Sequence, residues 1–132
     1  MVKRNFDVVI IDDEVTVTDL FQQFILFKYK DWNFMVFNNS SMLHTAIKSG
    51  EISSKVWVLD MMMPEKNGAD LAVAIREAQG LDPILLAYTA LNKRSLETQP
   101  AYQHGVKHFN HVINKREDIP SVLSLIEIWV VQ

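Results

Sequence analysis

Short runs of continuous apolar residues alternate along this chain with stretches whose apolar positions recur at helical spacing. Val8-Val9-Ile10-Ile11 and Val56-Trp57-Val58-Leu59 are too short for helices and are bounded by turn residues, so they read as fully buried strands. Phe34-Met35-Val36-Phe37 and Pro83 to Thr89 add two more strands, the latter opened by a proline that a strand tolerates at its first residue. A fifth is placed near Val112-Ile113-Asn114. Between them, Glu14 to about Lys30 carries Val17, Leu20, Phe21, Phe24, Ile25 and Phe27 on one broad face, which predicts a helix. Met42 to Lys48, ending at Gly50, and Ala69 to Ala78, stopped near Gly80, predict the second and third helices. A weaker helical stretch runs from Lys93 to His104, interrupted by Pro100 and followed by Gly105. Asp118 or Ile119, with Pro120, starts a final helix carrying Val122, Leu123, Leu125, Ile126 and Trp129. Strict alternation of strand and helix implies an α/β fold: a parallel sheet with right-handed crossovers and helices on both faces.

The polar residues that close these strands carry the candidate chemistry. Asp12-Asp13-Glu14 follows the first strand, Asp60 follows the third, and Thr89 ends the fourth. In open α/β sheets the carboxyl edge is where ligands bind. If the first and third strands are parallel neighbours, Asp12, Asp13 and Asp60 crowd together, and like charges that close repel unless a cation or a proton intervenes. Oxygen-only ligands, few and held on one side, suit Mg²⁺, which typically sits between one or two carboxylates and a phosphoryl group. An acidic helix start favoured by the macrodipole would account for Asp12 and Asp13, but not for Asp60 and Thr89 ending their own strands.

Composition narrows the class. The 132 residues, 48% of them hydrophobic, match one domain with one substantial core, and one domain over 1–132 is expected. A formal charge of −3 and the lack of a long basic run argue against direct nucleic-acid binding by this segment. There is no cysteine, so disulfide and thiolate chemistry are unavailable, which fits a reducing compartment. Met1-Val2-Lys3-Arg4-Asn5-Phe6-Asp7 lacks the features of a signal peptide and no later stretch could span a bilayer, so a cytoplasmic location without membrane association is expected.

Ile10-Ile11-Asp12-Asp13-Glu14, Asp60-Met61-Met62-Met63-Pro64 with Gly68, and Thr89-Ala90 together make the chain resemble the receiver domains of two-component response regulators over essentially its whole length. The resemblance implies a flavodoxin-like (βα)5 fold, a doubly wound five-stranded parallel sheet in the order 2-1-3-4-5. It implies that Asp60 accepts a phosphoryl group from a sensor histidine kinase or a histidine phosphotransfer protein. Asp12 and Asp13 with Asp60 would bind Mg²⁺ (or Mn²⁺), Met62 would supply a backbone carbonyl to the metal, and Thr89 would contact the phosphoryl group and move with it. Pro64 and Gly68 would shape the loop into the third helix. The implied output runs through an effector domain or a downstream protein, with a phosphorylation-promoted symmetric homodimer through the last helices as a hypothesis.

One position departs from that pattern. Receiver domains usually carry a lysine about seven residues after a Gly-Ala pair and before a proline. Gly105-Val106 stands for the pair; counting without a gap lands on Val112, whereas about three extra residues bring the position to Lys115. Lys115 is favoured, because Val112-Ile113-Asn114-Lys115 before a helix start reproduces the expected order, although Arg116 replaces proline. The aromatic switch residue stays unassigned: Phe109 matches it without an insertion, and no aromatic matches it with one. The main alternative function is a degenerate pseudo-receiver acting as a phosphorylation-independent interaction module. An aspartate-nucleophile phosphatase of the haloacid dehalogenase type would need a second aspartate where Met62 stands, and a flavin carrier would want a phosphate-cradling loop where Asp13-Glu14 would repel one. His104, His108 and His111 have a spacing that could bind zinc on one helical face, but a mixed helix-to-strand segment is a poor frame for it. Trp129-Val130-Val131 could form an association surface or pack on the core.

Overall fold

The computed structural model describes residues 3–131; Met1 and Val2 of the amino-terminal segment read above lie outside them. The elements are β1 (Arg4–Ile11), α1 (Val15–Lys28), β2 (Phe34–Phe37), α2 (Ser40–Lys48), β3 (Ile52–Leu59), α3 (Gly68–Gln79), β4 (Ile84–Thr89), α4 (Lys93–Thr98), α5 (Pro100–Val106), β5 (His111–Asn114) and α6 (Ile119–Val130). All pairings are parallel, and the strand order is β2-β1-β3-β4-β5. This is the doubly wound α/β arrangement expected from the alternation.

Strand residues alternate between two covered faces. Val8, Ile10, Val56, Val58, Leu86 and Tyr88 point to the layer completed by Phe21 and Ile25 of α1 and by Val122, Leu123 and Ile126 of α6. Val9, Ile11, Trp57, Leu59 and Leu85 point the other way, against Leu43 and Ile47 of α2 and Leu71, Ala72 and Ile75 of α3. A smaller cluster of Met61, Ala69, Ala87 and Leu96 fills the space under α4 and α5. Burial on both faces is why the central strands are continuous apolar runs rather than alternating ones. Trp129 and Val130 pack against the α1–α6 layer, whereas Val131 is exposed.

Element boundaries differ from the sequence reading where long-range pairing or capping decides them. β1 and β3 begin at Arg4 and Ile52, ahead of Val8 and Val56, because Arg4, Asn5 and Phe6 pair in register with Ile52, Ser53 and Ser54. α2 starts at Ser40 rather than Met42, since the Asn39 side chain accepts a hydrogen bond from the Met42 N–H at 2.9 Å. The reciprocal capping box of Asn67 and Asp70 sets the start of α3.

The stretch read as one weak helix from Lys93 to His104 is two. Gln99 is extended and Pro100 opens α5, as expected when the residue before a proline is kept out of the helical region. Gly105 does not follow a helix but lies buried inside α5, where a Cβ would stand 2.4 Å from the Ala69 carbonyl oxygen. The crossing of α5 over α3 is therefore set by the missing side chain. A polar bridge reinforces it, Asn67 Nδ2 donating to the Ala101 carbonyl at 2.9 Å, while Arg76 ties α3 to the segments after α5 and before β4 by donating to the carbonyls of His108 and Pro83.

Gly105→Ala is expected to destabilise the fold by about 1–3 kcal/mol, because overpacking against backbone outweighs the roughly 1 kcal/mol that alanine gains in helix propensity. Chemical denaturation of the two proteins checks this; equal or higher stability of the variant would show that α5 can lift off α3 at no cost.

Candidate functional site at the carboxyl edge of the sheet

The β1–β3 register ends at Ile11 opposite Leu59, so Asp12 and Asp60 leave the sheet side by side. Their backbones are fixed as well: Asp12 N–H donates to the Phe37 carbonyl at 3.2 Å, and Asp60 N–H to the Ile11 carbonyl at 3.1 Å. Asp12 and Asp60 are only 2% and 4% exposed, while Asp13 faces solvent. A carboxylate oxygen from each of Asp12, Asp13 and Asp60 lies within 4.8 Å of the other two.

Lys115, directly after β5, reaches into this cluster. Its ammonium stands 2.8 Å from Asp12 Oδ2 and 3.5 Å from Asp60 Oδ1. Its own N–H donates to the Thr89 carbonyl at 2.9 Å, continuing the β4–β5 ladder past its last pair, Thr89 opposite Asn114. Val112, the residue reached by the ungapped count, lies within β5 and packs beside the cluster under α4 and α5. Thr89 is fully buried at the end of β4, and its hydroxyl oxygen accepts a hydrogen bond from the Leu91 N–H at 3.2 Å.

The loop from Asp60 to Gly68 is shaped by several separate restraints. The Met62 N–H donates to Asp60 Oδ1 at 3.4 Å, and the Met62 side chain is half-exposed. Met61 is fully buried, and Met63 packs against the α2–α3 layer. The Ser40 hydroxyl donates to the Pro64 carbonyl at 2.8 Å and accepts from the Lys66 N–H at 3.2 Å, tying the loop to the start of α2. Glu65 adopts a left-handed backbone with φ of 69°, and its carboxylate accepts a hydrogen bond from Ser41. Gly68 must lack a side chain, because a Cβ there would lie 2.5 Å from Met61 Sδ and 2.6 Å from the Asp60 carbonyl oxygen.

Burial and the neighbouring charges of Asp12 and Asp13 push the Asp60 carboxyl up to about 7, against the opposing pull of Lys115 and the Met62 N–H. Burial by itself lowers the Lys115 ammonium, but its hydrogen bond to Asp12 and the charges of Asp60 and Asp12 outweigh that, and its pKa is raised. One ammonium thus leaves the site short of positive charge. A hard divalent cation fits that deficit and the all-oxygen donor set. Asp12, Asp13 and Asp60 are the side chains that could hold Mg²⁺.

Two contributors were silent in the sequence. Asn38 Nδ2 donates to the Asp12 carbonyl at 2.9 Å and to Thr18 Oγ1 at 2.7 Å, bracing the Asp12 backbone from the end of β2. The only hint is that a polar residue follows an apolar strand. The Glu14 N–H donates to Asp12 Oδ1 at 2.9 Å, turning the Asp12 side chain back onto the start of α1. The three histidines form no metal cluster among the described residues: His104 Nε2 pairs with Asp70 Oδ1 at 2.8 Å, the His108 carbonyl accepts from Arg76, and the His111 ring lies 5.3 Å from that of Trp129. β5 holds no Phe, Tyr or Trp, and Phe109 packs below it, between the α2–α3 layer and the cluster under α5.

No protein-family model and no curated protein matches this sequence. Solved structures do match, over nearly the whole chain. The BeF3-activated DrrB receiver domain is similar with a TM-score of 0.76 at 15% identity, covering 96% of this chain and 98% of that one. A CheY-like response regulator receiver domain protein from Methanospirillum hungatei gives 0.75 at 12% identity, covering 98% and 94%. The response regulator TrrA from Thermotoga maritima, solved in complex with Mg(2+)-BeF, gives 0.70 at 14% identity, covering 96% and 98%. The fold is that of response regulator receiver domains.

Because the Asp60 pKa rises from an ordinary 3.8 to about 7 on folding, its favourable contribution is complete below about pH 4 and is lost as the pH climbs to about 7. Without metal, Asp60→Asn is therefore expected to be the more stable protein, by a margin that widens by a few kcal/mol between about pH 4 and 7 and then levels off. Added Mg²⁺ should stabilise the parent protein at pH 8 and leave the variant nearly unchanged. Thermal melts across pH check both; a margin independent of pH would mean that Asp60 ionises normally in the fold.

Proposed function

We propose that this chain is a phosphorylation-dependent switch of a two-component system. Asp60 is the phosphoacceptor, and a histidine kinase or histidine phosphotransfer protein is the donor. The observation that carries this reading is a buried aspartate at the end of a central strand, flanked by two further carboxylates and approached by one lysine ammonium. The receiver-domain fold supports it, and so does the Mg(2+)-BeF complex of TrrA.

In this reading an Asp60 carboxylate oxygen attacks the phosphorus of a phosphohistidine, the new O–P bond replacing the P–N bond whose electrons return to the imidazole. Such transfer asks little covalent chemistry of a protein beyond in-line placement and charge neutralisation. Asp12, Asp13 and Asp60, with the Met62 carbonyl, would hold Mg²⁺, which would supply charge neutralisation on the phosphoryl oxygens. Lys115 contributes a second positive charge by giving up its contact with Asp60 for a phosphoryl oxygen. The Thr89 hydroxyl oxygen is already held by the Leu91 N–H, so its proton is free to donate to the phosphoryl group. The acyl phosphate then draws Thr89 and Lys115 toward Asp60, biasing an existing equilibrium between two arrangements of β4 and β5. The chain is a signalling element that assists its own phosphorylation and dephosphorylation rather than a turnover enzyme. Its output partner is a linked effector domain, a downstream protein or a second copy.

The degenerate alternative drew its support from the irregular segment between Gly105 and Lys115, and the reach of the Lys115 ammonium to Asp12 and Asp60 weighs against it. Intact mass after incubation with Mg²⁺ and acetyl phosphate tests the choice. One metal-dependent phosphoryl adduct, absent from Asp60→Asn, is expected, and Lys115→Ala should form it about 10- to 100-fold more slowly. No adduct under any metal condition would leave a phosphorylation-independent interaction module.

A further inference from the structure

The loop that carries Lys115 contains no proline; Arg116 follows Lys115 and Glu117 follows in turn. Something else must hold the backbone firmly enough for a flexible side chain to keep its ammonium 2.8 Å from Asp12. Two of the restraints come from within the loop itself. Asn114 Oδ1 accepts from the Arg116 N–H, and the Asn114 carbonyl accepts from the Glu117 N–H, both at 2.9 Å. Two others come from consecutive residues of β4. The Thr89 carbonyl takes the Lys115 N–H at 2.9 Å, and the Tyr88 hydroxyl donates to the Glu117 carbonyl at 2.8 Å.

The geometry points to Tyr88 as a positioning residue for Lys115. Its ring is buried in the α1–α6 layer, edge-on to Phe21 with centroids 5.6 Å apart and planes at 85°, so the hydroxyl is presented from a rigid base. Lys115 therefore lies between two handles of one strand, one on its own amide and one two residues beyond. Burial raises the phenol's pKa, so the hydroxyl keeps the proton that it donates. Thr89 and Tyr88 point to opposite faces of β4, so whatever moves the end of this strand moves the lysine loop with it.

Tyr88→Phe removes the hydroxyl and keeps the ring. The phosphorylation arm of its test rests on the function proposed above, and a labelling arm does not. In the first, the rate of Mg²⁺-dependent phosphorylation by acetyl phosphate is measured for the full chain and for Tyr88→Phe, Lys115→Ala and the double variant. Tyr88→Phe is expected to slow the reaction about 3- to 10-fold alone, the scale of one lost hydrogen bond, and to add nothing when Lys115 is already alanine. An equal slowing in both backgrounds would reveal a merely structural effect and overturn the assignment. In the second arm, the full chain and Tyr88→Phe are treated with a limiting amine-reactive acetylating reagent, and each lysine's modification is read by peptide mass. Faster modification of Lys115 alone, with Lys3, Lys48 and Lys93 as internal references, is expected. Unchanged Lys115 reactivity would overturn the assignment even if the chain accepts no phosphoryl group.

Discussion

Three carboxylates are held together at one edge of this sheet against their mutual repulsion, and much of the surrounding architecture exists to keep them there. The parallel register of β1 with β3 puts Asp12 beside Asp60; both are buried, and burial raises the cost of the charge on Asp60. Lys115 is the protein's own answer, brought from the far end of the sheet by β5. It is incomplete, since one ammonium faces three acids and the carboxyl of Asp60 still sits well above its usual range. That residual imbalance favours further positive charge at the site and separates it from an ordinary surface ion pair, which contributes little.

The second constraint is close approach. Gly105 lets α5 touch the backbone of α3, and Gly68 lets α3 begin directly against the Asp60 carbonyl. Asn67 and Asp70, which cap α3, also reach α5, through the Ala101 carbonyl and His104. Thus the loop bearing Asp60, the start of α3 and the short helix α5 form one mechanical unit. Ser40 and Ser41 tie the opposite flank of that loop to α2.

The interior of the sheet was legible in the sequence because strands buried on both faces must be apolar throughout, and the acids that close them stand out against that background. Strand beginnings were not: Arg4, Asn5 and Ser53 have no strand signature and are extended because Arg4 pairs with Ile52 and Asn5 with Ser53. Pro100 was readable as a break, but whether it ended a helix or joined two depended on Ala69 accepting α5 against it. The same holds for the lysine. Spacing alone left Val112 and Lys115 in competition, and the separation from Asp12 is a three-dimensional quantity that spacing does not encode. Asn38 and Tyr88 were invisible for a related reason, since each acts on the site through a backbone carbonyl rather than through a chemistry-bearing group of its own.

The origin of Lys115 has a consequence for biosynthesis. Asp12, Asp13 and Asp60 are all translated before β5, so a growing chain acquires its clustered acids well before it acquires the cation that offsets them. Until the last strand docks, β1 and β3 can pair only by leaving that repulsion unanswered, by taking up a proton or by borrowing a metal ion. Closing the sheet with β5 is thus also the step that neutralises the site, and a truncated or half-folded molecule would present the acids without the lysine. The complete site and the complete fold therefore arrive together.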